Sequence, residues 1–412
     1  MKRVILKFIP ALICGVVFTN CGSKETNFVV GLNPQEGYGP FTPGYVIIWP
    51  SRDSLIYTNV PKDIDEYVVR NFALHTERNV LILIGTKGDK RIIMIDSNND
   101  NDFGNEKILE YDYPLSKEEQ KKIENTLPTI STQLEYRENG QVLIKNIKMR
   151  PTPYEGSLSL SFNTNSEVEK KYYLFIGIPE HQQGEMKIKG DDFNVFVSNS
   201  FTRAVYLKDR VSIFIAPKSQ TIDEIKDNIP YKIGDIFNIK NNDYLIDSIS
   251  AWGDKLFIKY IGKNERPEGI SEGYYLPKFD AKYVDNTVFD LAKYSDKYIL
   301  LDFWGTWCVP CIKLIPELKE LNSEFSDKNF ALISVAYDDN ADKVVDFVVK
   351  ENMNWSHLFV DRRENDENSV INKLKVTRFP TTILISPDRK IMGRDLTVDE
   401  LKALLVEKIS DK

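Results

Sequence analysis

Between Val46 and Leu276, apolar positions tend to recur at every second residue, in short runs interrupted by Gly, Asn and Asp. That is the period of strands that bury one face and leave the other to water. The runs "NVLILIG" and "RIIMID" meet at Lys87-Gly88-Asp89, and "EMKIKGDDFNVFV" turns around Gly190-Asp191. "FNIKNNDYLIDSIS" repeats the pattern around Asn241-Asn242, and "DKLFIKYIG" adds a further strand. One helix is predicted over Lys117–Leu127, where Ser116 and Glu119 stand at the two positions of a capping box. Residues 46–276 are therefore expected to form a β-rich, sandwich-like region, in one body or two lobes. Nothing in it resembles a catalytic motif.

From about Pro277 the period changes. A continuous apolar run predicts a strand at Tyr298–Trp304, followed by a helix at Val309–Phe325 and a strand at Phe330–Tyr337. A helix at Ala341–Asn352, strands at His357–Val360, Thr381–Ile385 and 390–393, and a closing helix at Val398–Ile409 complete the set. Thr397 and Glu400 supply that last helix with a second capping box. Alternation of this kind predicts an α/β domain over 277–412, with helices on both faces of a sheet.

The chain begins differently. Met1-Lys2-Arg3 is a basic start to the apolar run "VILKFIPALICGVVF", which is too short and interrupted for a membrane span and suits a signal peptide over 1–21. It ends in "FTNCGSKETN", which resembles a bacterial lipoprotein cleavage site with Cys21 as the lipidated residue. A secretory signal in which Cys21 has no role, and an uncleaved anchor, are the alternatives. The Gly/Pro-rich stretch that follows predicts a tether over 22–45. Export to the bacterial cell envelope follows, with a lipid anchor facing the periplasm or the outer surface. The 412 residues carry a net charge of −7 and no basic block, so a nucleic-acid footprint is not expected.

Export also changes the meaning of the cysteines. Of four, only Cys308 and Cys311 lie beyond residue 21. An oxidising compartment would allow a disulfide framework, and the chain has one close pair instead. Cys308 falls where a strand gives way to a helix, whose first turn carries unpaired N–H groups and partial positive charge. A thiolate there is stabilised and its pKa lowered. Cys311, three residues on, shares the helical face and lies within disulfide reach. Pro310 sits in the first turn, where a missing N–H matters little. The expectation is an exposed nucleophile, Cys308, and a more buried resolving thiol, Cys311. A zinc half-site needs partners that His75, His181 and His357 do not supply by spacing. A scaffold disulfide across so short a loop would gain little. Asp302, alone within "ILLDFW", is costly there unless it has partners or work. Burial should raise its pKa and make it a proton acceptor for Cys311; the alternative is a satisfied polar residue at a sheet edge.

The segment "DFWGTWCVPC" resembles the active site of the thioredoxin fold, and most closely that of TlpA/ResA-type thiol–disulfide oxidoreductases of the bacterial envelope. The resemblance covers 277–412 and implies a thioredoxin-like α/β fold there. Asp302 matches that fold's buried aspartate, Pro316 the proline that bends the active-site helix, and Phe379-Pro380-Thr381 the cis-proline loop, although a trans proline opening a strand would read the same way. Trp307, Val309, Pro310, Phe379, Pro380 and Thr381 are thereby implied to bind the substrate chain in strand-like fashion. Trp304 belongs either to the apolar collar of the site or to plain core. "ISVAYDDNADKVVDFVVKENMNWSHLFVDRR" resembles the extra helix and strand of the TlpA/ResA type. One departure is Leu314, where those proteins often carry an acid three residues after the second cysteine.

The resemblance implies no cofactor beyond the Cys308–Cys311 redox disulfide. The implied partners are protein thiols and disulfides, with a membrane or periplasmic electron donor, and the more expected direction is reduction of envelope disulfides. Disulfide isomerisation and a β-rich binding or dimerisation module with an accessory redox domain are alternatives. A thiol peroxidase is a weaker one, because "WGTWC" lacks that family's residues before the cysteine. Separately, "IDSNNDNDFGNE" sets Asp96, Asn98, Asp100, Asp102 and Glu106 at a spacing that evokes a calcium loop, without its glycine. A solvated polar turn is the commoner origin of such a run.

Overall fold

The computed structural model describes residues 27–42, 46–47, 55–72, 80–113, 115–123, 126–138, 140–153, 172, 174–199, 204–226, 228–364 and 366–410. The expected signal segment 1–21, Cys21 and part of the expected tether lie outside them. The chain divides into two compact units, one ending at Lys263 and the other spanning Asn264–Lys412. Among the described residues no helix is long and apolar enough to cross a membrane.

Among its described residues the first unit forms four antiparallel, four-stranded sheets. Strands Phe28–Gly31, Lys255–Lys263, Asn242–Ile249 and Ile236–Ile239 form one, and Ser212–Pro217, Asp191–Ser198, Glu180–Ile188 and Asn33–Glu36 another. Val30, Phe237, Ile246 and Leu256 from the first share one core with Met186, Val195 and Ile213 from the second. A second sheet pair shares its own core, with Val80, Ile82, Ile84 and Ile93 on one side and Leu134, Ile147, Met149 and Ile176 on the other. Val80–Lys87 and Lys90–Ile95 read as nearly unbroken apolar runs because their sheet is buried on both faces, with Leu81, Leu83, Ile92 and Met94 in a further cluster.

Two expectations need correction here. Residues 28–36, expected within a tether, form two strands that pair with Lys255–Lys263 and Glu180–Ile188. The short apolar run "NFVVGL" places Val30 and Leu32 in the core, and Gly/Pro-rich neighbours masked that signal. The expected domain boundary at 276/277 falls inside the second unit, because Tyr275 bridges to Lys390 and Leu276 packs in that unit's core.

Elements of the second unit are numbered within it: β1 Lys282–Tyr283, β2 Tyr298–Trp304, α1 Val309–Phe325, β3 Phe330–Asp338, α2 Ala341–Lys350, β4 Ser356–Asp361, α3 Val370–Lys373, β5 Thr381–Ile385, β6 Ile391–Arg394 and α4 Val398–Ser410. The sheet order is β1-β4-β3-β2-β5-β6. β2, β3 and β4 run parallel; β5 is antiparallel to β2, and β6 is antiparallel to β5. All seven residues of β2 are buried. Its odd-numbered residues Ile299, Leu301 and Phe303 join a core that includes Val370, Ile371 and Leu374. Tyr298 and Leu300 face the opposite way, packing with Leu318 and Leu321 of α1 and with Leu401 and Leu405 of α4. Asp302 therefore lies on the α1 face, between Leu300 and Trp304.

Candidate active site

β2 ends at Trp304, and Gly305-Thr306-Trp307 carries the chain to Cys308, the N-cap of α1. The backbone makes this turn because Gly305 has no side chain: a Cβ there would lie 2.5 Å from Trp307 Nε1 and 2.9 Å from the Tyr337 carbonyl. Trp307 folds back over Gly305, and its Nε1 donates to Tyr337 O at 2.8 Å. Thr306 is held by both its N–H and its hydroxyl, which donate to Asp338 Oδ2 at 2.8 and 2.7 Å. Asp338 is fully buried, and burial opposes its charge. The two Thr306 donors, the Asp339 N–H and Lys343 outweigh that cost and hold its pKa below the usual carboxylate range. The end of β3 thus grips the loop that delivers the cysteines.

Cys308 and Cys311 are joined as a disulfide with a Cα–Cα distance of 5.3 Å. The Cys311 N–H points at Cys308 Sγ at 3.3 Å, so this sulfur occupies the place of an N-capping oxygen. Pro310 is in the first turn and exposed, and Pro316 lies inside the helix. The expectation of an exposed Cys308 beside a more buried Cys311 is corrected: each is only 3% exposed. In the disulfide, both sulfurs belong to a cluster with Trp304, Ile315, Ala336, Val344 and Met353, against which Phe379 packs. Besides Pro310, the exposed residues here are Trp307 at 43% and Val309 at 61%. Trp304 is core, at 1%.

Phe379 meets the edge of Trp307 at 5.3 Å and stacks on Tyr337 at 5.5 Å, forming an aromatic rim beside the disulfide. The Phe379–Pro380 peptide bond is cis, and both residues are half-buried. Thr381 opens β5 as a buried residue whose hydroxyl donates to Arg378 O. Leu314 is half-buried in the α1–α4 core, as an apolar residue at that position would be.

On the α1 face of β2, Asp302 accepts a hydrogen bond of 2.8 Å from Ser334 on the adjacent β3. Burial raises its pKa to about 6, against the lowering effect of the Ser334 hydroxyl. Ser334 in turn accepts from Trp355 Nε1 at 2.8 Å. His357, opposite Ser334 on β4, is buried with its Nε2 3.0 Å from Met353 O, and burial depresses its pKa to about 4. Asp302 was visible in sequence as a charge in an apolar run. Gly305, Asp338, Ser334 and Trp355 were not singled out, since their roles depend on strand register.

The residues considered for calcium are turned to another use. Asp96 accepts from the N–H groups of Asp100 and Asn101, Asp100 from that of Asp102, and Asp102 from that of Gly104. Asn98 donates to Asp100, and Glu106 accepts from the Ser97 N–H and hydroxyl. The carboxylates close the loop's own turns. Among the described residues no group of three or more acidic, His or Cys side chains is arranged to hold a metal.

A family model described as thioredoxin-like matches residues 296–391. The thiol-disulfide oxidoreductase ResA of Bacillus cereus is 27% identical over 157 residues, 38% of this chain and 86% of the relative. The thioredoxin-like protein YneN of Bacillus subtilis is 32% identical over 93 residues, 23% of this chain and 52% of the relative. A solved thiol-disulfide oxidoreductase from Bacteroides fragilis is 27% identical, covering 32% of this chain and 98% of its own, with a TM-score of 0.30. These similarities fall on the C-terminal third, which is a thioredoxin-like domain preceded by a region made mostly of β-sheets.

Proposed function

We infer, from a C-terminal third that is a thioredoxin-like domain of the thiol–disulfide oxidoreductase kind, that Cys308 and Cys311 perform the exchange on protein disulfides. The observation that carries this reading is the pair's position, with Cys308 as N-cap of α1 and Cys311 joined to it. Starting from the dithiol, the Cys308 thiolate attacks one sulfur of a partner disulfide. A Cys308–partner bond forms and the partner's other sulfur leaves as a thiolate. Cys311 then loses its proton to Asp302 and attacks Cys308 Sγ, closing the internal disulfide and releasing the second partner sulfur as a thiolate. Asp302 suits this task because its pKa of about 6 lies far above that of an ordinary carboxylate, so it holds a proton more readily near neutrality.

The aromatic rim of Trp307 and Phe379, with exposed Val309 and Pro310 and the Pro380-Thr381 backbone, receives the partner chain. With each cysteine only 3% exposed, docking of a chain against that rim would bring its sulfur to the disulfide. The resemblance of this segment to TlpA/ResA-type proteins supports reduction of envelope protein disulfides as the working direction, with electrons supplied by a membrane or periplasmic donor. The opening segment supports export and acylation at Cys21, hence attachment to a membrane. A Cys21→Ser chain should then appear in the soluble envelope fraction, and unaltered membrane retention would remove the anchor from this reading.

The cysteine roles are tested by replacement. Cys308→Ser should abolish exchange, and any retained turnover would remove Cys308 as nucleophile. Cys311→Ser should accumulate covalent partner adducts visible on non-reducing gels. Direction is tested by equilibrating the pair in graded glutathione buffers. A reduction potential near roughly −270 mV supports a reductant, and one near roughly −120 mV reverses the assignment.

A further inference from the structure

The hydrogen bond between Ser334 and Asp302 has a direction that the structure determines. A serine hydroxyl has one proton to give and lone pairs to receive. An indole N–H can only donate, so the 2.8 Å contact from Trp355 Nε1 occupies Ser334 as an acceptor. The Ser334 proton is left for Asp302 Oδ2, also at 2.8 Å. A hydroxyl held in this sense stabilises the ionised carboxylate. It is poorly oriented to receive a hydrogen bond from the neutral acid. All of this occurs at a site where Asp302 is 2% exposed and Ser334 fully buried. We propose that Ser334 is a positioning residue for Asp302, with Trp355 fixing its hydroxyl so that it sets how tightly that carboxyl holds the proton received from Cys311.

The surroundings leave Ser334 without a competitor. On α1, the inner face carries the cysteine pair, which as a disulfide does not titrate; Lys313, Glu317, Glu320 and Glu324 are exposed and Lys319 is half-buried. On β5 the register neighbour is Thr382, whose hydroxyl donates to Leu396 O. On β4, His357 Nε2 faces a carbonyl oxygen, so that nitrogen carries the ring proton and the burial-lowered imidazole is neutral. The acidic and basic residues of α2, Asp342, Lys343, Asp346 and Lys350, are exposed, and Lys402 of α4 pairs with Glu324. Ser334 is the hydrogen-bonding side chain that reaches Asp302 among the described residues.

This inference rests on the reading of Asp302 as the proton acceptor, and the experiment separates the two. The Asp302 carboxyl carbon is followed by NMR through a pH titration of the full oxidised chain labelled at aspartate, with D302N assigning the resonance. Ser334→Ala should raise the titration midpoint by roughly one pH unit, a tenfold gain in proton affinity. Trp355→Phe, which keeps the hydroxyl and frees its orientation, should raise it by less. The pH profile of exchange should move in the same direction in both variants. If S334A does not fold, W355F alone decides. A midpoint unmoved or lowered in the variants overturns the proposal. Should D302N leave the exchange profile unchanged while S334A still moves the resonance, Asp302 loses its role as acceptor and the coupling between Ser334 and Asp302 stands.

Discussion

Two buried titratable residues on one face of the sheet oppose each other in their effect on stability. Asp302 has a folded pKa of about 6, above its unfolded value, so its contribution is complete in acid and is lost as pH rises through about 6. His357 has a folded pKa of about 4, below its unfolded value, so its contribution is complete above about 6.5 and is lost as pH falls toward about 4. Each shift is worth about 3 kcal/mol at full extent, and the two windows overlap between pH 4 and 6. The natural chain should show little slope there from these two groups. D302N should gain stability as pH rises from 4 to 6.5, and His357→Gln should lose it from 4 to 6. Urea unfolding at stepped pH checks both, and identical profiles in both variants and the parent would refute the argument. Asp302 was legible in sequence because a carboxylate in "ILLDFW" is anomalous on its own. His357 and Ser334 are ordinary in their local sequence; their importance comes from facing each other across β3 and β4, and register is not written in either strand alone. The burial of Cys308 was likewise illegible, since it depends on Phe379 arriving from a distant segment.

At the scale of elements, the end of β3 acts as a clasp on the loop before α1. Removing it with Asp338→Ala leaves the Thr306 N–H and hydroxyl without an acceptor, at a cost of about 2–3 kcal/mol. Hydrogen exchange at Thr306 and Trp307 should rise while that of β2 stays protected; equal loosening of both would mean a global effect instead. Gly305→Ala should displace the Trp307 ring from Tyr337 O, visible as a shift of its indole N–H resonance, because the new Cβ would stand 2.5 Å from Nε1. The alternating elements of the second unit were legible from periodicity alone, apart from the two-residue β1 and the short α3. Among the hairpins, the two central turn residues lie one position earlier than expected in two cases. Lys189-Gly190 and Lys240-Asn241 are the residues at positive φ between paired ends, rather than Gly190-Asp191 and Asn241-Asn242. Lysine hides such a turn, since it seldom takes that conformation. The long hairpin of Ile130–Glu138 with Gln141–Thr152 went unread, although Asn139-Gly140 is a strong turn signal; its strands alternate with so many charges that the apolar period is faint.

At the scale of the molecule, the two units have separate cores, and the redox pair belongs wholly to one of them. A chain beginning at Asn264 should therefore fold and reduce a small generic disulfide at a rate within about twofold of the full protein, and calorimetry of the intact chain should resolve more than one transition. A fragment that aggregates or is inert would tie the chemistry to the β-rich unit. The approximate change from β to α/β was legible, and its position was not, because residues 264–276 are irregular and join the second unit through contacts of Tyr275 and Leu276. The strands at Phe28–Gly31 and Asn33–Glu36 have a consequence for assembly. They are made early in synthesis of the unit, yet one of them pairs with Lys255–Lys263, the last of its described strands. Chain closure over nearly the whole unit must precede that pairing, and such long-range contacts are slow to form. Until that partner strand has been made, Phe28–Gly31 lacks its neighbour in the sheet, so this sheet is completed only after the last residues of the unit have been synthesised.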